Sequence, residues 1–231
     1  DARAAQAIGA DALGFIFYPK SPRALTFERY AALRPDLPAL PKVAVVVEPG
    51  LAELTAAQRA GIDAIQIQFM HSTPLAILRE WSELVTPARL WLVPQLKDQA
   101  VVPPALLPLA DTFLLDTYHA EKFGGTGLTG DWPKFRAHAE AVPEKTWILS
   151  GGLKPENLAE ALRESAATFV DVNSGVESAP GVKDHAKLAA LAAALRATPP
   201  KAHRTPRALA IPALYPLPRV KIRPWYRRHL A

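Results

Sequence analysis

Short runs rich in β-branched and aromatic residues recur along the chain: ALGFIF (12–17), KVAVVV (42–47), AIQIQF (64–69), RLWLVPQ (89–95), TFLLD (112–116), TWILS (146–150) and FVDVN (169–173). Most are continuously apolar rather than alternating. That is the pattern of strands buried on both faces of a parallel sheet. Between them lie Ala/Leu/Glu/Arg-rich segments with helical spacing, over 26–34, 50–60, 74–84, 131–141, 155–164 and 183–196. Thr26 before FERYAALR and Pro155 in the first turn of KPENLAEALRES act as start signals. The Pro-rich segment 98–110 gives a weaker helical signal.

Strand and helix alternate at roughly 20–35 residue intervals, which argues for βα units around a parallel sheet. Seven strands are predicted, and residues 1–9 form a helix ahead of the first. This count fits an α/β (β/α)8 TIM barrel without its first strand. A doubly wound open sheet is the alternative, but no G-x-G-x-x-G follows an early strand.

Composition narrows the class. The chain of 231 residues is 49% hydrophobic and 21% charged, enough for one sizeable core. No apolar run approaches the roughly 20 residues of a membrane helix, and the opening DARAAQAIGAD reads as helix rather than secretory signal. A cytoplasmic location without membrane partners is expected. There is no cysteine, so disulfides, thiolate metal sites and cysteine nucleophiles are excluded for this sequence.

Charge divides the chain at about residue 198. Eight of the 27 basic residues lie in 198–231, which holds no acid, so 19 face 22 acidic residues over 1–197, a net of −3. The +5 formal charge therefore belongs to the C-terminal stretch. That stretch also carries seven of the 23 prolines and no helical period. It reads as a basic, Pro-rich tail, irregular or disordered, following a barrel domain at 1–197. Trp225 and Tyr226 beside Arg227 and Arg228 could stack on bases, but the acidic body gives no support for a nucleic-acid partner.

In such barrels chemistry sits where strands end. Three of those positions are rich in glycine and polar residues. Ser150, Gly151 and Gly152 follow TWIL, and Asn173, Ser174 and Gly175 follow FVDV. Two small-residue turns in the last two βα loops suit a phosphate, whose oxygens backbone N–H groups can cradle if no Cβ intervenes; the same glycines could simply turn the chain. Asp116 ends a buried strand and is followed by a loop with four glycines in seven residues, including Gly124, Gly125 and Gly127 around Thr126. A carboxyl in a partly dry pocket gains a raised pKa and can donate a proton. Arg23, after YPKSP, is either a bidentate carboxylate clamp or a solvated loop arginine. Asp171, inside FVDVN, faces the interior as a structural group or a secondary candidate.

The motifs GADALGFIFYPKSPR, FLLDTY…GGTG…DW, ILSGGLKPENLAEAL and VDVNSGVESAPGVKD, in this order, closely resemble phosphoribosylanthranilate isomerase, a TIM-barrel family of tryptophan biosynthesis. The resemblance spans residues 1 to about 197. It implies an Amadori rearrangement of N-(5-phosphoribosyl)anthranilate to 1-(o-carboxyphenylamino)-1-deoxyribulose 5-phosphate, with no metal and no organic cofactor. It implies Asp116 as the general acid and Arg23 as the holder of the anthranilate carboxylate. Ser150–Gly152 and Asn173–Gly175 would bind the phosphate of this small phosphorylated substrate, and Gly124–Gly127 would form the mobile loop. Either a monomer or a homodimer is compatible with such barrels.

The departures are specific. The family's first strand reads like VKICG, and its cysteine is the general base; neither precedes Asp1 here. Where the family commonly reads QLHG this chain has QIQF (66–69), and Glu48 replaces a polar amide. Two explanations stand: an N-terminal truncation with an unrelated tail, or a circular permutation. For the second, RVKIRPW (219–225) echoes VKICG with Arg223 in the cysteine's place. A chain with acid but no base is either an isomerase or an impaired homologue that binds the phosphorylated ligand.

Overall fold

Each predicted apolar run forms a strand and each helical segment a helix in the computed structural model, which describes residues 1–96, 101–116, 131–198 and 219–222. Helix α1 (Ala2–Ala7) leads into β1 (Ala12–Ile16). The units α2 (Phe27–Leu33), β2 (Lys42–Val47), α3 (Leu51–Arg59), β3 (Ala64–Met70), α4 (Leu75–Val85) and β4 (Leu90–Gln95) follow. Next come β5 (Thr112–Asp116), α5 (Trp132–Ala141), β6 (Thr146–Ser150), α6 (Leu158–Ser165) and β7 (Phe169–Val172). A small antiparallel pair, β8 (Glu177–Ala179) and β9 (Val182–Lys183), precedes α7 (His185–Ala197), and β10 spans Arg219–Ile222.

Local chemistry sets the boundaries. The Thr26 hydroxyl accepts from the Arg29 N–H and starts α2 as predicted. Helix α6 begins three residues later than Pro155, because KPEN is a turn instead. There Asn157 Oδ1 accepts from the Lys154 N–H (2.9 Å) and its Nδ2 donates to the Gly152 carbonyl (3.0 Å). Helix α7 starts after Asp184, whose carboxylate caps the Ala186 and Lys187 N–H groups, since Val182–Lys183 is taken up in β9. The Pro-rich stretch forms only a 3-10 turn, Pro104–Leu109.

The strands close into a parallel barrel in the order β1-β10-β7-β6-β5-β4-β3-β2. The expected (β/α)8 barrel is present, and what differs is that four residues of the expected irregular tail, 219–222, complete it between β1 and β7. Strand β10 lies in register between β1 (Ala12 beside Lys221) and β7 (Val170 beside Val220, Asp171 beside Lys221). A slot left between β1 and β7 would expose two rows of unpaired N–H and C=O groups, and β10 satisfies both. It is the place that the VKICG-like strand would fill. Residues 199–218 and 223–231 lie outside the described set, so the remainder of the expected irregular tail is not placed.

Two apolar clusters form the core. Ala12, Val43, Ala64, Trp91, Val93, Leu114, Ile148 and Phe169 fill the barrel interior, where Trp91 meets Phe169 edge-on at 5.7 Å between centroids. The larger cluster, with Phe15, Tyr30, Trp81, Phe113 and Phe135, lies between strands and helices. Among the described residues no helix is long and apolar enough to cross a membrane.

Candidate active site

Parallel strands place every residue after their C-terminal ends at one mouth of the barrel. Arg23 stands in the loop after β1, Asp116 closes β5, Ser150 closes β6, and Asn173 follows β7 directly. Asp116 and Ser150 are register partners on adjacent strands.

The two glycine turns are built against each other. Gly151 (φ 100°) and Gly152 (φ 61°) are both left-handed, a conformation that a side chain would resist. Asn157, buried beneath, ties this turn from both sides. Gly175 meets the same segment from the other loop. A Cβ there would lie 1.9 Å from the Leu153 carbonyl oxygen and 2.9 Å from Lys154 Cβ. Gly175 therefore does more than turn its own loop, since it lets the loops after β6 and β7 touch.

Arg23 is a built-in residue rather than a solvated loop arginine. Its Nε donates to both Glu177 carboxylate oxygens (3.0 and 3.1 Å), and Nη2 donates to Oε2 at 2.6 Å. Glu177 also accepts from Lys183 Nζ at 3.0 Å. The same ammonium donates to the Asn173 carbonyl (2.9 Å) and side-chain oxygen (2.7 Å). Burial pushes the Glu177 carboxyl up, but hydrogen bonds and charge from Arg23 and Lys183 outweigh it and hold the group below its ordinary value. The hydrogen bond to Glu177 raises Arg23 in turn. Neither Glu177 nor Lys183 was singled out from the sequence, although both sit inside NSGVESAPGVKD; only the fold shows them converging.

The interior holds a second polar cluster. Lys221, fully buried, donates from Nζ to Asp171 Oδ2 (3.0 Å) and to Gln66 Oε1, and lies 5.2 Å from the Trp91 ring centroid. Asp171 thus faces inward, paired with Lys221. Lys221 and Gln66 were legible only as letters of RVKIR and QIQF.

One expectation changes. Asp116 is exposed at the end of β5 rather than sunk in a partly dry pocket, because the strand runs out of the barrel there. It lines a cleft of about 280 Å³ with Gln68, Gln95, Asp131 and Lys134. Glu48, in place of an amide, accepts from Thr73 Oγ1 (2.6 Å) and the Met70 N–H (3.2 Å), which hold its carboxyl below the ordinary range. Gly124–Gly127 lie outside the described residues, as does Arg223. Among the described residues no group of three or more histidines or carboxylates is placed to hold a metal.

The profile of N-(5'phosphoribosyl)anthranilate (PRA) isomerase matches residues 1–194. The N-(5'-phosphoribosyl)anthranilate isomerase of Magnetococcus marinus is 39% identical over 197 residues, covering 85% of this chain and 90% of that one. This chain belongs to the phosphoribosylanthranilate isomerase family. A Neisseria gonorrhoeae relative of the same name is 34% identical over 194 residues. Among solved structures, TrpF from Jonesia denitrificans superposes with a TM-score of 0.67 at 34% identity, over 85% of this chain and 91% of that one. The Thermotoga maritima phosphoribosyl anthranilate isomerase also reaches 0.67, at 30% identity and 93% of its own length. The family profile ends at residue 194, so β10 lies beyond it.

Proposed function

We propose that the chain isomerises N-(5'-phosphoribosyl)anthranilate to 1-(o-carboxyphenylamino)-1-deoxyribulose 5-phosphate. The carrying observation is that Arg23 and the Asn173–Gly175 turn share one hydrogen-bonded network at the mouth where Asp116 ends its strand. In this reading Arg23 holds the anthranilate carboxylate, and the turns at Ser150–Gly152 and Asn173–Gly175 cradle the phosphate. Asp116 protonates the furanose ring oxygen as the ring opens to a protonated imine, a general base takes the C2' proton to give the enolamine, and that enol gives up its hydroxyl proton as C1' is protonated, leaving the ketone. A related phosphoribosyl anthranilate isomerase structure, 28% identical with a TM-score of 0.64, holds reduced 1-(o-carboxyphenylamino)-1-deoxyribulose 5-phosphate, which supports the ligand class.

The second reading is a homologue that binds this ligand and turns it over poorly. It is favoured by one fact: the 231 residues contain no cysteine to act as base. Decay of the fluorescent substrate separates the two. An active enzyme loses about 10²–10⁴-fold in rate on Asp116→Ala. Equal decay with parent and Asp116→Ala would refute acid catalysis and leave binding alone. If β10 stands in for the VKICG strand, Arg223→Cys raises the rate, whereas no gain would remove the idea that position 223 serves as the base position.

A further inference from the structure

A two-ended anion needs both of its anchors held at a fixed separation. At this mouth the two proposed anchors, Arg23 and the Asn173–Gly175 turn, belong to different loops on either side of β10. What joins them is a pair of buried charges that face each other rather than the mouth. Glu177 and Lys183 expose only 4% and 1% of their side chains, against 20% for Arg23. Lys183 Nζ donates to Glu177 Oε1, Asn173 O and Asn173 Oδ1, as many acceptors as an ammonium has donors. Its hydrogen-bonding capacity is used inside the protein. Lys187 Nζ fixes the Glu177 backbone through its carbonyl at 2.7 Å.

Charge explains why two cations are needed. Arg23 paired with Glu177 alone would be a neutral couple with little attraction for a carboxylate. Lys183 brings the trio to a net single positive charge, so Arg23 stays attractive to an anion while both Glu177 oxygens hold its orientation. On Arg23, Nε and Nη2 donate to Glu177, and Nη1 has no hydrogen-bond partner among the described residues, which leaves donors that a ligand could use.

We infer that Glu177 and Lys183 are positioning residues that couple the carboxylate clamp to the phosphate turn, fixing the spacing at which a substrate anionic at both ends is recognised. They touch Arg23 and Asn173 and not the substrate. The inference rests on the ligand proposed above.

The test is calorimetric binding to the full chain, so it does not depend on turnover. Three probes are used: reduced 1-(o-carboxyphenylamino)-1-deoxyribulose 5-phosphate, inorganic phosphate, and anthranilate. Glu177→Gln keeps the shape and one acceptor and is expected to fold; Lys183→Met is the stronger perturbation. A misplaced anchor can cost about 10²-fold, so both variants should weaken the two-ended probe by about 10–100-fold. In Glu177→Gln, phosphate alone, bound at one end, should weaken by less than about 3-fold, since the Lys183 bonds to Asn173 that hold its turn persist. Circular dichroism of the variants should match the parent. Equal losses for phosphate and the two-ended probe in Glu177→Gln would overturn the coupling, as would unchanged binding of the two-ended probe by that variant. A parent that fails to bind the two-ended probe would overturn the ligand assignment itself, a distinguishable failure.

Discussion

Replacing Lys221 by methionine would take away the ammonium that meets Asp171 in the barrel interior. Both side chains are fully buried, and the Nζ–Oδ2 separation is 3.0 Å. Breaking a buried pair from one side costs about 3–5 kcal/mol, because the remaining charge loses its compensation in a low-dielectric site. That is a large part of the roughly 5–15 kcal/mol that holds a domain together. At about 2–4 °C per kcal/mol for a chain of this size, the melting temperature should fall by about 6–20 °C. Removing both charges is different. Lys221→Met with Asp171→Asn should recover at least half of the single-variant loss, since paired deletion leaves no lone ion. The assay is urea and thermal unfolding of parent, both single variants and the double variant. Amide hydrogen exchange at β1 and β7 accompanies it, because β10 supplies their inner pairing. Lys221→Met that unfolds within about 0.5 kcal/mol of the parent, the range of ordinary surface changes, would refute the placement of 219–222 in the barrel.

Three further outcomes follow from the same geometry. Gly175→Ala puts a methyl against the Leu153 carbonyl, so it should destabilise by about 2–3 kcal/mol and weaken phosphate binding; unchanged phosphate titrations would contradict the packed-turn description. Because Glu177 is depressed in the folded state, its contribution is complete above its ordinary value of 4.5 and is lost as pH falls through the lower folded value. The parent should therefore lose stability below pH 4.5 more steeply than Glu177→Gln in urea midpoints. Burial pushes the Tyr30 hydroxyl up to about 12, from 10.0, so stability is full below pH 10 and declines toward pH 12. Tyr30→Phe should lack that decline and gain about 1 kcal/mol at neutral pH, since the hydroxyl is buried without a described partner.

The barrel was legible because doubly buried strands write themselves as unbroken apolar runs. VAVV in β2 and ILS in β6 admit few other readings once helical segments separate them. Boundaries were harder. Pro155 suits a helix start, yet Asn157 captures the turn through two side-chain bonds, and no periodicity reports which of two good signals wins. Strand β10 was harder still. Four residues flanked by prolines in a basic stretch carry almost no strand signal of their own; pairing to β1 and β7 is what makes them a strand, and that is a tertiary fact.

The site divides in the same way. Residues proposed to face a ligand sit at strand ends and in glycine turns, where topology alone nominates them, and Arg23, Asn173 and Gly175 were nominated by that logic. Residues that hold those groups in place act across 154 positions, as Glu177 does on Arg23, so no local spacing announces them. Their recognition needs the distances. An arginine bound to a carboxylate would ordinarily be discounted as a clamp for another anion, since its charge is already met. In the proposed site the Lys183 ammonium behind Glu177 reverses that conclusion: it leaves the trio with one surplus positive charge, so the ion pair would support anion binding instead of competing with it.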